Sequence, residues 1–495
     1  MRDAIVIGAG VGGLCAAIQL AAAGWDVEVV EAGDDPGGKA GTATVDGARF
    51  DTGPSLLTLP EFFDAVLAPA DTCLRDEVVL RAPSPMFCYR FPDGARVDLH
   101  PRPADSAASV RAALGPSAAR EFSAFLKYAR DIWEAAAPNF VVGPAPGMRR
   151  LAGMELSALA AVARIDPLRS MRGAIRARVR DPYLRQIFER FATYNGSDMR
   201  SAPATLNCIA WVELGLGGYG IEGGIGALIE ALVRVATRLG VTWRWGSPVE
   251  RILVEGGRAV GVVIGGEALQ GRAVVANADV AHLAADLLPG TRHGLSADRT
   301  PSMSGWNAVI RARRRSDRIA HEVLFPQDYT AEFSDIFDRE RPPVSPTVYV
   351  CAQEVSHGLR GWSEDEPLFL MANAPAEPAS GRSAQATWHA LRETVMSRLR
   401  GSGLIAPGDA VVWERSPAQL AARFAGSRGA IYGAASNSRF AAFQRPGNRV
   451  TRIPGLYLAS GSAHPGGGLP LCALSGRMAA TCALEDAGIR RRISA

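Results

Sequence analysis

Glycines at positions 8, 10 and 13 stand between two apolar stretches near the start of the chain. The first stretch, Ala4–Ile7, suits a buried parallel strand, and the stretch after the glycines suits a helix. In such a turn Gly8 allows the bend, Gly10 lets the backbone approach a pyrophosphate, and Gly13 lets helix and strand pack closely. The spacing predicts a dinucleotide site, with a glycine-rich turn of an unrelated α/β domain as the alternative.

An acidic residue ends the next predicted strand, Val27–Val30. Glu31 follows the glycines by about 20 residues, where a carboxylate accepts hydrogen bonds from the ribose hydroxyls of an adenine nucleotide. An acid at this point disfavours a 2′-phosphate. The pyrophosphate is expected to rest on the N-terminus of the helix that follows the glycines.

A second glycine-rich loop carries a cation, at Gly37, Gly38 and Lys39, and an Asp-x-Gly-Pro turn follows at Asp51. A Rossmann unit that binds NAD would continue with a helix here. The two loops together resemble the extended FAD-binding fold of the amine-oxidase and carotenoid-desaturase superfamily. The resemblance implies that Gly37, Gly38 and Lys39 line the FAD phosphates and flavin. The family more often has arginine at position 39, and lysine lacks its bidentate fork.

A third motif lies near the C-terminus. Gly461 precedes Gly467 and Gly468, whose backbone is able to press against a planar ring. Leu469 and Pro470 follow, and Pro470 is suited to the first residue of a helix. A helix N-terminus directed at a flavin would stabilise the negative charge that develops there on reduction. The structural alternative is a glycine-rich loop before a terminal helix.

Periodicity and turn residues divide the chain into five segments. We expect FAD-binding segments, a helical lobe and a substrate domain in this order: FAD-binding 1–80, substrate and helical lobe 81–210, FAD-binding 211–295, substrate domain 296–445, and FAD-binding 446–495. Within the third segment the amphipathic stretch Leu228–Leu239 predicts a helix. The resemblance places the strand around Val249 against the adenine. The expected fold class is α/β, with a Rossmann-like FAD domain, a mixed-sheet substrate domain and a helical lobe able to contact a membrane.

Composition narrows the class of protein. At roughly 150 residues per domain, 495 residues correspond to about three structural units. Hydrophobic residues make up 47% and charged residues 21%, values that exclude disordered and disulfide-scaffold classes. The net charge of +4 is too small to indicate a nucleic-acid partner. The seven cysteines lack CxxC spacing, which favours a reducing compartment and no metal site.

A closer resemblance rests on stretches elsewhere in the chain. These are Phe191–Tyr194, Asp328–Phe337, Pro346–Gln353 and the three glycines after His464-Pro465. With the terminal motifs they make the chain resemble phytoene-desaturase-type carotenoid desaturases over nearly its whole length, most of all the 1-hydroxycarotenoid 3,4-desaturase branch. The resemblance implies FAD-dependent introduction of a C-3,4 double bond into an acyclic 1-hydroxycarotenoid such as 1-hydroxyneurosporene.

Two polar side chains are candidates for catalysis because the resemblance places them near the flavin. Asp51 is a candidate for proton transfer, with capping of the turn at Gly53-Pro54 as the alternative. His464 precedes a proline and therefore has an extended backbone; positioning of the flavin and a structural hydrogen bond are both open. No second dinucleotide motif for a nicotinamide is evident, so oxygen or a membrane quinone is expected to accept the electrons.

Ten arginines and four acidic residues lie between Arg149 and Arg190. Apolar residues recur there every three to five positions, so a cationic and an apolar face are expected along one helical stretch. No apolar run is long enough to span a bilayer. We therefore expect a cytoplasmic protein bound peripherally to the inner or intracytoplasmic membrane, with ordinary solvated helices as the alternative.

Three other functions remain open from the sequence. The nearest is the same chemistry on phytoene or neurosporene, since no residue identifies a hydroxyl-binding group. A soluble amine oxidase often has an acid just after the glycine of the C-terminal motif, whereas Gly461 is followed by Ser462. A prenyl-protein escort of the same fold does not use a flavin, which the intact set of Gly8, Gly10 and Glu31 argues against.

Overall fold

The computed structural model describes residues 1–145, 164–378, 385–438 and 445–489. The strands in these ranges are β1 Arg2–Ile7, β2 Val27–Val30, β3 Thr42–Val45, β4 Ala48–Asp51, β5 Leu80–Arg81, β6 Phe87–Arg90, β7 Arg96–Leu99, β8 Gly220–Ile221, β9 Thr242–Arg244, β10 Val249–Glu255, β11 Arg258–Ile264, β12 Glu267–Ala276, β13 Ser304–Arg313, β14 His321–Leu324, β15 Val348–Ala352, β16 Asp365–Ala374, β17 Ala410–Arg415 and β18 Leu456–Leu458. The α-helices are α1 Val11–Ala21, α2 Glu61–Leu67, α3 Leu74–Glu77, α4 Pro103–Leu114, α5 Pro116–Ala136, α6 Met171–Arg176, α7 Pro182–Glu189, α8 Cys208–Leu214, α9 Ile225–Arg238, α10 Val280–His282, α11 Tyr329–Phe333, α12 Gln353–His357, α13 Gln385–Gly401, α14 Pro417–Arg423 and α15 Leu469–Asp486.

The first sheet joins strands from three distant parts of the chain. Strands β18, β12, β1, β2 and β9 are parallel neighbours in that order. The long strand β12 also pairs antiparallel with β11, and β11 with β10, so a hairpin extends the sheet. The predicted Rossmann-like sheet is confirmed, including β1 and β2 at its centre.

Helices cover this sheet and account for its apolar strands. Every residue of α1 is buried. Helices α1, α9 and α15 share one core cluster with β1 and β2, as expected for parallel strands that are covered on their faces. The helices predicted over Leu228–Leu239 and after Pro470 are present as α9 and α15.

The second sheet has the order β17, β13, β16, β15, β14, β6, β7, with β14 and β6 parallel and the other pairs antiparallel. Residues 348–350 and 368–371, whose apolar and aromatic pattern is typical of strands, lie in β15 and β16. The sequence pattern from residue 60 to 210 predicts helices, and this is wrong for β6 and β7. Each of these strands has only four residues, and β6 pairs with β14 more than 200 positions later, which no local pattern reveals.

A layer of helices from α4 to α8 packs on the second sheet around a shared aromatic and aliphatic core. Within the described part of the arginine-rich tract, two short helices, α6 and α7, lie where the pattern predicts a helical stretch with possible breaks at Pro167 and Gly173. The expected apolar face is partly internal, because Met171, Ile175 and Val179 are buried, whereas Leu168 is 74% exposed. Seven of the residues that support the expectation lie outside the described ranges: Arg149, Arg150, Leu151, Met154, Glu155, Leu159 and Val162.

No helix in the described ranges is both long enough and apolar enough to cross a bilayer. No group of three or more His, Cys, Asp or Glu side chains in those ranges is placed to hold a metal ion. The seven cysteines form no disulfide.

Candidate active site

The first glycine motif forms the tight turn between β1 and α1. Gly8 has a φ of +95°, and its N–H donates to the carbonyl of Val30 at 2.7 Å. A Cβ on Gly13 would lie 2.0 Å from the Gly8 carbonyl oxygen, so only glycine lets the helix close onto the turn. At Gly10 a Cβ would lie 2.5 Å from Oδ1 of Asn277. The backbone of the turn is therefore packed closely against its own helix at Gly13 and against Asn277 at Gly10.

Glu31 stands at the carboxyl end of β2 and binds the same turn. Its Oε2 accepts the N–H of Ala9 at 2.6 Å, and its Oε1 accepts the N–H of Gly33 at 2.9 Å. The carboxylate therefore lies beside the glycine turn, at the sheet edge where doubly wound folds bind nucleotides.

The second glycine loop folds back onto the first. The N–H of Gly37 donates to the carbonyl of Ala9 at 2.8 Å, and Gly38 faces Gly10. Lys39 is enclosed, and its Nζ donates to the carbonyl of Ala430 at 2.7 Å. Burial lowers the pKa of Lys39, with Asp279 acting in the opposite direction. Its ammonium is thus anchored to the loop before the C-terminal motif.

The third glycine motif lies just before the C-terminal helix α15. A Cβ on Gly461 would lie 3.1 Å from the Cα of Gly467, which in turn is pressed against Tyr432. Gly468 has a φ of +105° and precedes α15, which starts at Leu469 with Pro470 in its first turn. The N-cap residue, Gly468, has no side chain with which to cap the helix, and the first amides of a helix have no partner within the helix itself.

Asp51 is buried and bound to a helix rather than to the turn at Gly53-Pro54. Its two carboxylate oxygens accept the N–H groups of Ile225 at 2.6 Å and Gly226 at 3.0 Å. Burial raises the pKa of Asp51 to about 6, although the two amides lower it. The carboxylate caps α9, and its direct role in proton transfer stays a prediction.

His464 is held on several sides. Its Nε2 lies 2.9 Å from the carbonyl of Gly143. Its own carbonyl accepts from Nδ2 of Asn448 at 2.9 Å and from Oγ of Ser475 at 2.8 Å. The residue therefore joins the C-terminal motif to the helical layer, and its contact with a flavin stays a prediction.

Val249 begins β10 opposite Ile264 and packs against a core cluster that contains Ile7 and Val30. The loop just before it is tied to the nucleotide-binding end of the sheet, since the N–H of Ser247 donates to the carbonyl of Glu31 at 2.8 Å. The position agrees with the expected neighbourhood of the adenine, and the contact itself stays a prediction.

The geometry fits a dinucleotide carrying a flavin. Helices α1 and α15 both begin after a glycine without a side-chain cap. An uncapped helix N-terminus has free amides and a positive end of the dipole, which suit a pyrophosphate and an electron-rich ring. Glu31, the expected partner of the ribose hydroxyls, lies beside the first of these turns. At Gly10, Gly13 and Gly467 a Cβ would press on neighbouring atoms, so the backbone approaches closely there.

One residue that links the first and the third motif was not singled out by sequence reasoning. Asn277 follows β12 directly, donates its backbone N–H to the carbonyl of Ile7 at 2.8 Å and donates its side-chain amide to the carbonyl of Ala459. Its Oδ1 faces Gly10. A polar residue immediately after a buried strand was the available signal.

A parallel sheet with these three glycine motifs defines a dinucleotide-binding flavoprotein. The family model described as flavin containing amine oxidoreductase matches residues 11–484. The chain belongs to this family, is an oxidoreductase and uses FAD as its cofactor.

The chain is also similar in sequence to individual carotenoid desaturases and in fold to a solved amine oxidase. The chain is 34% identical to hydroxyneurosporene desaturase of Rubrivivax gelatinosus, over 96% of this chain and 92% of that protein. It is 29% identical to 1-hydroxycarotenoid 3,4-desaturase of a Flavobacterium species, over 96% of this chain and 93% of that protein. Cyclohexylamine oxidase from Brevibacterium oxydans matches the fold with a TM-score of 0.62 and 15% identity, over 98% of this chain and 99% of that one.

Proposed function

We propose that the chain is a FAD-dependent desaturase that introduces the C-3,4 double bond into acyclic 1-hydroxycarotenoids such as 1-hydroxyneurosporene. The observation that carries the proposal is the full-length similarity to proteins named for this reaction. The three glycine motifs and Glu31 support the part of the proposal that concerns FAD binding.

The residues around the glycine motifs would divide the work of holding the cofactor. Gly8, Gly10 and the start of α1 would bind the pyrophosphate, and Glu31 the adenosine ribose. Gly37 and Gly38 would continue this binding surface toward the flavin. When bound, FAD supplies the two-electron acceptor for hydrogen removal.

The substrate side needs few acid–base groups. A polyene next to the reacting bond delocalises the positive charge that develops as hydride leaves, so a positioned base or water suffices for the remaining proton. The start of α15 would stabilise negative charge on the reduced ring.

The electron acceptor in this proposal is oxygen or a membrane quinone, and the protein docks on the cytoplasmic face of the membrane. The exposed side chain of Leu168 between Arg164 and Arg169 supports a contact with an anionic lipid surface. Reversing the charges of Arg172, Arg176 and Arg178 would not test membrane docking cleanly. The first two form ion pairs with Glu189, and Arg178 stacks on the ring of Tyr128, so the changes would disturb internal packing.

The experiment for the activity uses purified holoprotein and liposomes that contain 1-hydroxyneurosporene, neurosporene or phytoene in parallel. We expect a red shift of the pigment absorption with the hydroxylated substrate. A shift with phytoene instead would move the protein to the general desaturases. If no pigment shifts and a primary amine is oxidised, the amine-oxidase function replaces the proposal.

The docking experiment measures sedimentation of the holoprotein with anionic liposomes. The double variant Arg164→Glu, Leu168→Asp is expected to bind several-fold less than wild type with unchanged FAD content. The control Val79→Asp changes another exposed apolar side chain, which is 63% exposed. Equal binding of all three proteins would exclude this surface as the docking site.

A further inference from the structure

Glu213, near the end of α8, is a buried carboxylate with Tyr194 beside it but no hydrogen bond of good geometry from the described residues. It is 1% exposed, and neither of its oxygens accepts a hydrogen bond from the described residues. Glu332 provides the contrast: it is equally buried, but it accepts from the N–H of Thr347 and the Nδ2 of Asn373, each at 3.0 Å. Native proteins rarely bury an unpaired carboxylate, so an unfilled acceptor of this kind requires an explanation.

The neighbours of Glu213 supply positive charge and aromatic rings. Arg190 is 7% exposed, and its guanidinium lies 5.0 Å from the ring centroid of Tyr194 and 5.7 Å from that of Tyr349. Its Nη1 donates to the hydroxyl of Tyr194 at 2.9 Å. Burial raises the pKa of Glu213 to about 7, although Arg190 and Tyr194 lower it. The Glu213 carboxylate therefore lies near two hydrogen-bond donors, Arg190 and Tyr194, in a region lined by aromatic rings.

This polar cluster, Glu213 with Arg190 and Tyr194, lies next to the flavin-binding end of the molecule. Tyr432 connects the two regions. A Cβ on Gly467 of the C-terminal motif would lie 3.0 Å from Cδ1 of Tyr432, and a Cβ on Gly196 would lie 3.0 Å from Cδ2 of the same ring. Gly196 ends the turn that carries Arg190 and Tyr194. One aromatic ring thus separates the motif from the polar cluster.

We propose that the polar cluster binds the hydroxyl group of a hydroxylated polyene, with Glu213 accepting a hydrogen bond from the hydroxyl and Tyr194 or Arg190 donating one to its oxygen. The inference rests on the proposed function. A hydroxyl on C-1 is separated from C-3 by one carbon, so its oxygen lies about 3–4 Å from the reacting bond. Its binding group must therefore stand close to the flavin, and the link through Tyr432 and Gly196 supports this position for the cluster.

A proton-accepting role for Glu213 is the competing explanation, and the charge of Arg190 argues against it. Positive charge develops on the carbon that loses hydride, and a guanidinium close by would raise the energy of that state. A hydroxyl is neutral and both donates and accepts, which matches the combination of a carboxylate with a phenol and a guanidinium.

The test compares Glu213→Met with Glu213→Gln, which keeps an acceptor, and with Glu332→Gln as the matched buried control. For each holoprotein, kcat/KM is measured with 1-hydroxyneurosporene and with neurosporene. A second readout is the Kd of each pigment, from tryptophan quenching after the flavin has been chemically reduced. FAD content and circular dichroism verify folding.

We expect Glu213→Met to lower the preference for the hydroxylated pigment about 10- to 100-fold in both readouts, which corresponds to one hydrogen bond to a charged group. Glu213→Gln should retain part of the preference, and Glu332→Gln all of it. An equal loss on both pigments, with a changed pH profile, would overturn the inference in favour of a proton acceptor. An unchanged ratio would overturn it outright. A wild type that converts no carotenoid contradicts the proposed function instead.

Discussion

Gly12 and Gly476 are packed so closely that the first and last helices of the described chain meet without side chains between them. A Cβ on Gly476 would lie 2.2 Å from the carbonyl oxygen of Gly12 and 2.9 Å from the backbone nitrogen of Ala16. The contact joins α1, which follows the first glycine motif, to α15, which follows the last one. The two halves of the cofactor site are therefore fixed relative to each other by backbone.

This contact predicts that Gly476→Ala destabilises the protein by more than 1 kcal/mol, although alanine favours a helix by about 1 kcal/mol. The added methyl forces the helices apart in a dense core. Urea unfolding of the holoprotein, followed by circular dichroism, measures the change. The control is Gly401→Ala at the end of α13, where a Cβ meets nothing within 4 Å; equal stabilities of the two variants would contradict the packing argument.

Gly10→Val is expected to abolish FAD retention, because its Cβ would lie 2.5 Å from Oδ1 of Asn277 and its methyl groups would occupy the approach of the pyrophosphate. The flavin-to-protein absorbance ratio after purification measures retention. Gly408→Val is the matched control, since a Cβ there meets nothing within 4 Å. A Gly10→Val protein that purifies with a full complement of flavin refutes the assignment of this turn.

Glu31→Gln is expected to weaken FAD binding about 10-fold or more, because it removes the charge from an acceptor beside the turn. The loss should appear in the Kd measured by titrating FAD into the apoprotein. Glu250→Gln serves as the control, since its carboxylate binds only the N–H of Gly266 among the described residues, in a hairpin turn. Equal affinities of wild type and Glu31→Gln would leave the ribose contact without support.

Asp51 predicts a specific pH dependence of stability. Its pKa is about 6 in the folded protein against 3.8 unfolded, so the folded state holds the proton more tightly between these values. Stability is therefore lost as the pH rises through this window, by about 3 kcal/mol in total. Asp51→Asn does not titrate, so its stability relative to wild type should increase from pH 4 to pH 7 by up to this amount.

The measurement for Asp51 is urea unfolding of both proteins at several pH values. A relative stability that stays constant or falls with pH would show that the two helix amides outweigh burial. The same variant tests catalysis: we expect pigment turnover to persist, because both oxygens already accept amides of α9. Loss of turnover with normal FAD content would support the proton-transfer role instead.

The sequence alone predicted the parts of the site that are local in the chain. The strand, turn and helix around Gly8 and the strand ending at Glu31 follow from apolar periodicity and from glycines at fixed spacing. The start of α15 follows from Pro470 in the same way. These elements form from interactions between near neighbours, and the chemistry of a glycine turn leaves few alternatives.

Only the tertiary structure decided which distant residues meet. Asp51 caps a helix that begins 174 positions later, and the partner of β6 lies in β14. Glu213 has no sequence signal, because a glutamate on an amphipathic helix is normally solvated; burial among Arg190 and Tyr194 makes it unusual. Long-range pairing depends on how the two sheets and the helical layer pack together, and that packing is set by the whole chain rather than by any segment of it.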